Sequence, residues 1–277
     1  MRLVKTIRVK NNFMNFIKKS KEIRKSILNI IYNSKSGHIG GSFSCVDILI
    51  ALYYGKNLKF NSKNPKLENR DRLIVSKGHA SAAFYSLLSH LGFFKKSELK
   101  KYCKNNTILA THLSRKVPGV EFDTGSLGHG LGVGCGIAFS AKLDKKNFKT
   151  FVLISDGELY EGSTWEAILF ANNFKLNNLI IIIDRNKQIV MDRTEDCIKL
   201  DPLKKKLISF GCNTLEADGH SYQSLNKIFK KIKLSKNIGP TAIIANTIKG
   251  KGISFMEGNT KWHHAIPTPL EYEKGLQ

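Results

Sequence analysis

The chain has 277 residues, of which 42% are hydrophobic, and it carries a formal net charge of +23. No apolar run approaches the ~20 residues of a membrane span, and the N-terminus lacks the apolar block and small-residue cleavage site of a signal peptide. The charge invites a nucleic-acid reading, but lysines far outnumber arginines and are scattered among Asn and Ile, whereas nucleic-acid readers cluster their charge and favour Arg.

A solvated lysine surface that attracts small anions is therefore expected, with no specific nucleic-acid and no membrane partner. The basic start "MRLVKTIRVKNN" has too little Ser for a transit peptide; residues 1–11 are read as a basic arm and 12–277 as one domain. Residues 13–32 place Phe13, Phe16, Ile17, Ile23, Ile27, Ile30 and Ile31 at helical spacing between lysines, which predicts an amphipathic helix. Three glycines in "SKSGHIGGSFS" break it, and "VDILIALYY" resumes a buried helix. "RDRLIVSKGHA" reads as a short strand, Leu73 to Val75, running into a loop and then the apolar helix "SAAFYSLLSHLGFF". The next segment has glycines at 125, 128, 130, 132, 134 and 136; a close-packed helix and a ligand-wrapping loop are equally open from that pattern alone.

The centre is more definite. "KTFVLIS" is a strand, "GSTWEAILFANNF" a helix with Trp165, Ile168 and Leu169 on one face, and "NLIIIID" a buried strand. Two further units follow, "CNTLEA" with the helix after "DGHS", then "PTAIIANT". The expectation is an α/β fold, a parallel sheet with helices on both faces. Five cysteines, at 45, 103, 135, 197 and 212, show no CxxC spacing, which reads as reduced thiols in a reducing, cytoplasmic compartment.

In open α/β sheets ligands sit beyond the carboxyl ends of the strands. Asp156 lies at one such end and Asn186 at the next, and the connecting helix makes the two turns neighbours. A carboxylate and an amide oxygen converging there, with Gly157 beside them and the Gln188 carbonyl as a third oxygen, suit Mg²⁺, a hard cation that commonly bridges to phosphates. Taken singly, Asp156 is equally an N-cap and Asn186 a turn residue.

The motifs "SGHIGGSFS", "SKGHA", "THLSRKVPGVEFDTGSLGHGLGVG", "SDGELYEGSTWEA", "IDRNKQ", "DGHS" and "KGKGISFMEGNTKWHHAIP" occur in that order. On them, from about Lys19 onward, the chain resembles the N-terminal half of transketolases and so a thiamine diphosphate-binding fold. The resemblance implies thiamine diphosphate and Mg²⁺, with Ca²⁺ or Mn²⁺ in substitution. It makes Asp156, Asn186 and Gln188 the metal ligands and sets Gly157 against the diphosphate. His79 would sit near the diphosphate, while His38 and His263 would contact both the diphosphate end and the substrate hydroxyls. His112 would lie near the reacting end of the donor. Gly125, Ser126 and Leu127 would hold the aminopyrimidine, and Glu161 would link two active sites across a dimer. Glu158 has no role in this pattern and is expected at the surface. Ser155, Ser126 and His129 depart from the commonest residues but are similar to the short, split members of the family. "PTPLEYEKGLQ" reads as the end of the diphosphate-binding domain. The implied partner is a separate C-terminal, pyrimidine-binding subunit in a heterotetramer acting on sugar phosphates. The rivals are an α subunit of a 2-oxo acid dehydrogenase, disfavoured because four histidines suit sugar hydroxyls, and a non-catalytic partner-binding subunit, disfavoured because Asp156, Asn186 and all four histidines are intact.

Overall fold

A computed structural model describes the backbone from Arg2 to Gln277 and side chains from Phe13 onward. The basic arm read at 1–11 lies outside the described side chains.

The first three helices are α1 (Arg2–Ser34), α2 (Ile39–Ser44) and α3 (Val46–Tyr53). In α1 the helical apolar spacing buries Phe16, Ile23, Ile27, Ile30 and Ile31, but Ile17 is exposed. It falls between the turns that face the core. The "SGHIGGSFS" break is shorter than the glycines suggest. Gly37 takes φ 130° and turns the chain, while Gly40 and Gly41 are buried within α2.

Next come β1 (Arg72–Val75) and α4 (Ser81–His90). The Gly-rich segment resolves into a loop followed by α5 (His129–Leu143), then β2 (Thr150–Ser155) and α6 (Gly162–Asn173). After β3 (Leu179–Arg185) the chain forms α7 (Thr194–Cys197) and α8 (Leu203–Ser209). It ends in β4 (Asn213–Asp218), α9 (Tyr222–Leu234), β5 (Thr241–Asn246) and α10 (Pro269–Leu276).

The five strands make one sheet in the order β1-β2-β3-β5-β4, every pair parallel. Because successive side chains point to opposite faces, the isoleucines of β3 serve two layers. Ile180 and Ile182 face α1, α3, α4 and α9, together with Phe151, Leu153 and Ile243. Ile181 and Ile183 face α5, α6 and α8, together with Val152, Ile154 and Ile244. Both faces are therefore covered, which is why β2 and β3 are buried along their whole length. Each such isoleucine contributes about 1.5–3 kcal/mol.

In α6, Ile168 is fully buried and Trp165 packs on the same layer, but Leu169 is 53% exposed, contrary to its expected place on that face. It stands one residue beyond Ile168, 100° around the helix. Among the described residues, no helix is long and apolar enough to cross a membrane. All five cysteines are free thiols.

Candidate active site

Four of the chemically distinctive segments follow a strand and leave at the carboxyl edge of the sheet. After β1 comes Ser76-Lys77-Gly78-His79, after β2 Asp156 to Glu161, at and after β3 Asp184 to Gln188, and after β5 Thr247 to Lys249. A parallel sheet puts all of these on one rim.

The rim gathers imidazoles from four separate segments. The ring centroid of His38 lies 5.4 Å from His79, 5.8 Å from His112, 5.3 Å from His263 and 4.6 Å from His264. His79 and His263 are 5.8 Å apart. The four histidines singled out from sequence thus converge, and His264 joins them. Gly41 lets His79 approach, since a Cβ there would meet His79 Nε2 at 3.1 Å. Gly125 does the same for His112, whose Cδ2 would lie 3.0 Å away. Gly78 presses against the Thr124 backbone, and Thr124 Oγ1 donates to the Val75 carbonyl at 2.9 Å. The 125–127 turn is tied in this way to the end of β1. Gly125 and Leu127 are half-buried there and Ser126 is exposed.

Below the histidines sits a buried ion pair. Lys77 Nζ donates to Asp184 Oδ2 and to the Gly41 carbonyl at 2.9 Å. Ser44 Oγ donates to Asp184 at 2.6 Å, and Thr247 donates to its other oxygen. Burial works against the Lys77 charge, but Asp184 outweighs it and holds the ammonium above its ordinary pKa. A second lysine, Lys249, donates to the Ile189 carbonyl at 2.7 Å and lies 2.8 Å from His263 Nδ1. Burial, with Lys77 adding repulsion, brings its pKa down to about 8. An ammonium only donates, so Nδ1 of His263 accepts and its Nε2 carries the proton. Burial lowers His263 to about 3 and His38 to about 4, with Lys249 and His264 respectively adding to the shift. Both rings are neutral at pH 7, each with one donor and one acceptor. His38 Nδ1 is buried without a partner.

The Asp156 turn lies alongside. Asp156 is not the cap of α6. One oxygen accepts from the Lys187 amide at 2.6 Å and from Arg185 at 3.2 Å, the other from the Gly157 amide at 3.0 Å. Asn186 Oδ1 accepts from the Gln188 amide at 3.1 Å, across a left-handed Lys187 with φ 63°. Asp156, Asn186 and Gln188 are thus brought into one turn, and Ile189 joins it to Lys249. Burial raises Asp156 to about 6, against the pull of Arg185. A bound cation acts in the opposite sense. Among the described residues, no group of three or more His, Cys, Asp or Glu could hold a metal. The oxygens here are one carboxylate, one amide and a backbone carbonyl, hard donors of the kind Mg²⁺ takes. A Cβ on Gly157 would meet Ile189 Cγ2 at 3.3 Å and Ser155 Oγ at 3.9 Å, both side-chain atoms, so its backbone stays open to a close ligand.

The expected surface position of Glu158 is wrong. It is fully buried, accepting from the amides of Ser155 at 2.9 Å and Gly128 at 3.1 Å and from the Ser76 hydroxyl. One carboxylate therefore ties together the ends of β1 and β2 and the start of α5. Burial raises its pKa. Glu161, three residues on, is exposed and packs where Gly128, at φ 83°, has no side chain.

Lys77, Asp184, Lys249 and His264 escaped the sequence reading. Asp184 carried a signal, because a carboxylate closing a run of four isoleucines must be buried and so must have a partner. The partner comes from a motif 107 residues away, which periodicity does not reveal.

A parallel sheet whose rim joins an imidazole cluster to an oxygen-rich turn defines a cofactor-binding α/β domain. Residues 17–273 match the family model described as transketolase, thiamine diphosphate binding domain, and the chain belongs to that family. It is 41% identical over 258 residues to an apulose-4-phosphate transketolase subunit of Phocaeicola vulgatus, covering 93% of this chain and 91% of that one. It is 36% identical over 243 residues to a 6-deoxy-6-sulfo-D-fructose transketolase subunit of Clostridium sp., covering 87% and 88%. The crystal structure of transketolase from Campylobacter jejuni superposes with a TM-score of 0.87 at 32% identity, over 94% of this chain but 42% of that one.

Proposed function

We propose that this chain is the N-terminal subunit of a split transketolase, moving a two-carbon glycolaldehyde unit reversibly from a ketose or ketose phosphate to an aldose or aldose phosphate. The observation that carries the reading is the convergence of His38, His79, His112 and His263 with Lys249 beside the Asp156-Asn186-Gln188 turn. Thiamine diphosphate, when bound, supplies the nucleophile and the electron sink for cleaving the ketose.

The residues of this chain bind and orient. Asp156, Asn186 and the Gln188 carbonyl hold Mg²⁺, with Ca²⁺ or Mn²⁺ as substitutes, and Gly157 admits the diphosphate. Lys249 and His79 face that anion, whose charge favours their protonated forms. His38 and His263, neutral at pH 7, each offer one N–H and one lone pair to substrate hydroxyls. His112, with its ring 5.8 Å from that of His38, is assigned to the reacting end of the donor. Gly125 to Leu127 line the cofactor ring, and Glu161 faces the neighbouring protomer.

The chain spans nearly the whole of relatives named as subunits but under half of the C. jejuni enzyme. This supports a separate C-terminal, pyrimidine-binding partner and an active site shared between chains in a heterotetramer. The relatives' names include a sugar phosphate and a sulfonated sugar, so the donor and acceptor of this chain are left at the level of an anionic sugar.

The test is calorimetric titration of thiamine diphosphate with Mg²⁺ into this chain, alone and with its C-terminal partner. Saturable, Mg²⁺-dependent binding with the partner, lost in Asp156→Ala, is expected. Absence of binding in both settings refutes the reading.

A further inference from the structure

Behind the histidine rim lies a second polar cluster that the proposed chemistry does not use. Asp47 is buried in α3 and accepts from four side chains. Arg24 Nη2 reaches one oxygen at 2.7 Å and Nη1 the other at 3.2 Å. Ser20 donates at 2.9 Å and Tyr222 at 2.6 Å. His220 Nδ1 lies 2.8 Å from Oδ2.

Two of these partners reach onward to a single loop. His220 Nε2 accepts from the Ile248 amide at 2.9 Å. Since Nε2 accepts, Nδ1 carries the ring proton and donates it to Asp47. Arg24 Nε donates to the Lys251 carbonyl at 2.7 Å, and Gly252 makes room for it, because a Cβ there would lie 2.7 Å from Arg24 Cδ. The two contacts bracket Lys249. Backbone bonds fix the neighbouring positions, Thr247 to the Arg185 carbonyl at 3.1 Å and Gly250 to the Gly40 carbonyl at 3.1 Å. The Ile248 amide itself is held by the His220 side chain.

We infer that Asp47, acting through Arg24 and His220, is a positioning device that clamps the 247–252 loop and so holds the Lys249 ammonium against His263. The device ties α1, α3 and the β4–α9 turn to one cation at the rim. These are positioning residues, since none of them reaches the histidine cluster. Holding the ammonium in place spares the loop the ordering that an anionic ligand would otherwise impose. The consequence for cofactor affinity rests on the thiamine diphosphate reading above, whereas the clamp itself does not.

The test separates the two arms of His220. Asparagine places its amide near the Nδ1 position and keeps the Asp47 contact. Glutamine reaches the Nε2 position and keeps an acceptor for Ile248. Hydrogen exchange of the 247–252 peptide and acylation of Lys249 by an amine reagent are read in the chain with its C-terminal partner, beside titration of thiamine diphosphate. In His220→Asn the loop exchanges at least fivefold faster, Lys249 acylation changes at least threefold, and affinity falls five- to tenfold. In His220→Gln, which keeps the acceptor for Ile248 but gives up the Asp47 contact, the same changes appear at less than half that size. Parent-like behaviour of His220→Asn, or equal losses in both variants, overturns the proposal. Arg24→Lys is the second variant; it keeps a cation on Asp47 and removes the bond to Lys251. It should loosen the same peptide, and unchanged exchange overturns the clamp independently. Failure of the parent complex to bind thiamine diphosphate refutes the proposed function instead, and exchange with acylation still decides the clamp.

Discussion

Three side chains at the rim illustrate how burial assigns work to a residue. Asp156 is fully buried beside Arg185, so Asp156→Asn keeps the volume and removes the charge. Its expected outcome is at least a tenfold loss of Mg²⁺-dependent thiamine diphosphate affinity by calorimetry. Glu158 acts within the protein, since its oxygens satisfy the buried Ser155 and Gly128 amides. Unsatisfied buried donors cost about 1–3 kcal/mol each, so Glu158→Ala should lose roughly 2–4 kcal/mol in urea denaturation, with Glu158→Gln losing less. Lys249 is poised to take up a proton. At pH 8.5 its pKa of about 8 leaves it partly neutral, and a diphosphate beside it raises that value. Binding at pH 8.5 should therefore consume a fraction of a proton, visible as different heats in buffers of different ionisation enthalpy. Equal heats would place Lys249 away from the anion.

At the scale of elements, α5 shows which part of a pattern is legible. Its glycines cannot be sorted by spacing, because loop and close-packed helix share the same composition. The structure divides them by what stands opposite. A Cβ on Gly130 would meet Ser76 Oγ at 2.4 Å and one on Gly134 would meet Val152 Cγ2 at 2.3 Å, whereas Gly132 and Gly136 face open space. Gly134→Ala should therefore destabilise the chain by about 1–3 kcal/mol through overpacking. Gly132→Ala should stabilise it by about 0.5–1 kcal/mol, through helix propensity and a less flexible unfolded chain. Thermal unfolding of the two variants of the isolated chain checks the contrast. β2, β3 and β5 were readable because a strand buried on both faces is a nearly continuous apolar run. Ile17 and Leu169 were misplaced because a helical face is about 100° wide and its margins depend on the neighbouring element.

At the scale of the whole molecule, burial keeps a set of histidines neutral. Burial is the first cause of the lowered pKa at His38, His79, His90 and His263, with values of about 4 at His38 and His90 and about 3 at His263. Each is depressed in the folded state, so below about 6.5 the unfolded chain binds protons the folded chain refuses, and stability falls with pH. Asp156 and Glu158 are raised and work in the opposite direction at acid pH, but the histidines outnumber them. The melting temperature of the ligand-free chain should drop as pH goes from 6.5 to 4.5. Residual exposure of the rings reduces the effect to about 2 kcal/mol, roughly 4–8 °C. A constant midpoint over that range would show the rings to be more hydrated than their packing indicates.

The sequence by itself determined the parallel α/β class, the strands of the core, the four histidines and the Asp156-Asn186 pair. Those features are written locally, in apolar runs, in periodicity and in short motifs that occur in a set order. Only the tertiary structure decided that Glu158 is a buried tie and that Lys77 pairs with Asp184. It alone set Lys249 against His263, with Arg24, Asp47 and His220 behind it. In each of these a charged or polar group meets a partner from another segment, and such pairing depends on which loops the sheet order brings to one rim. Local pattern encodes how a segment folds. Charge compensation in the interior is settled by the segments that meet there.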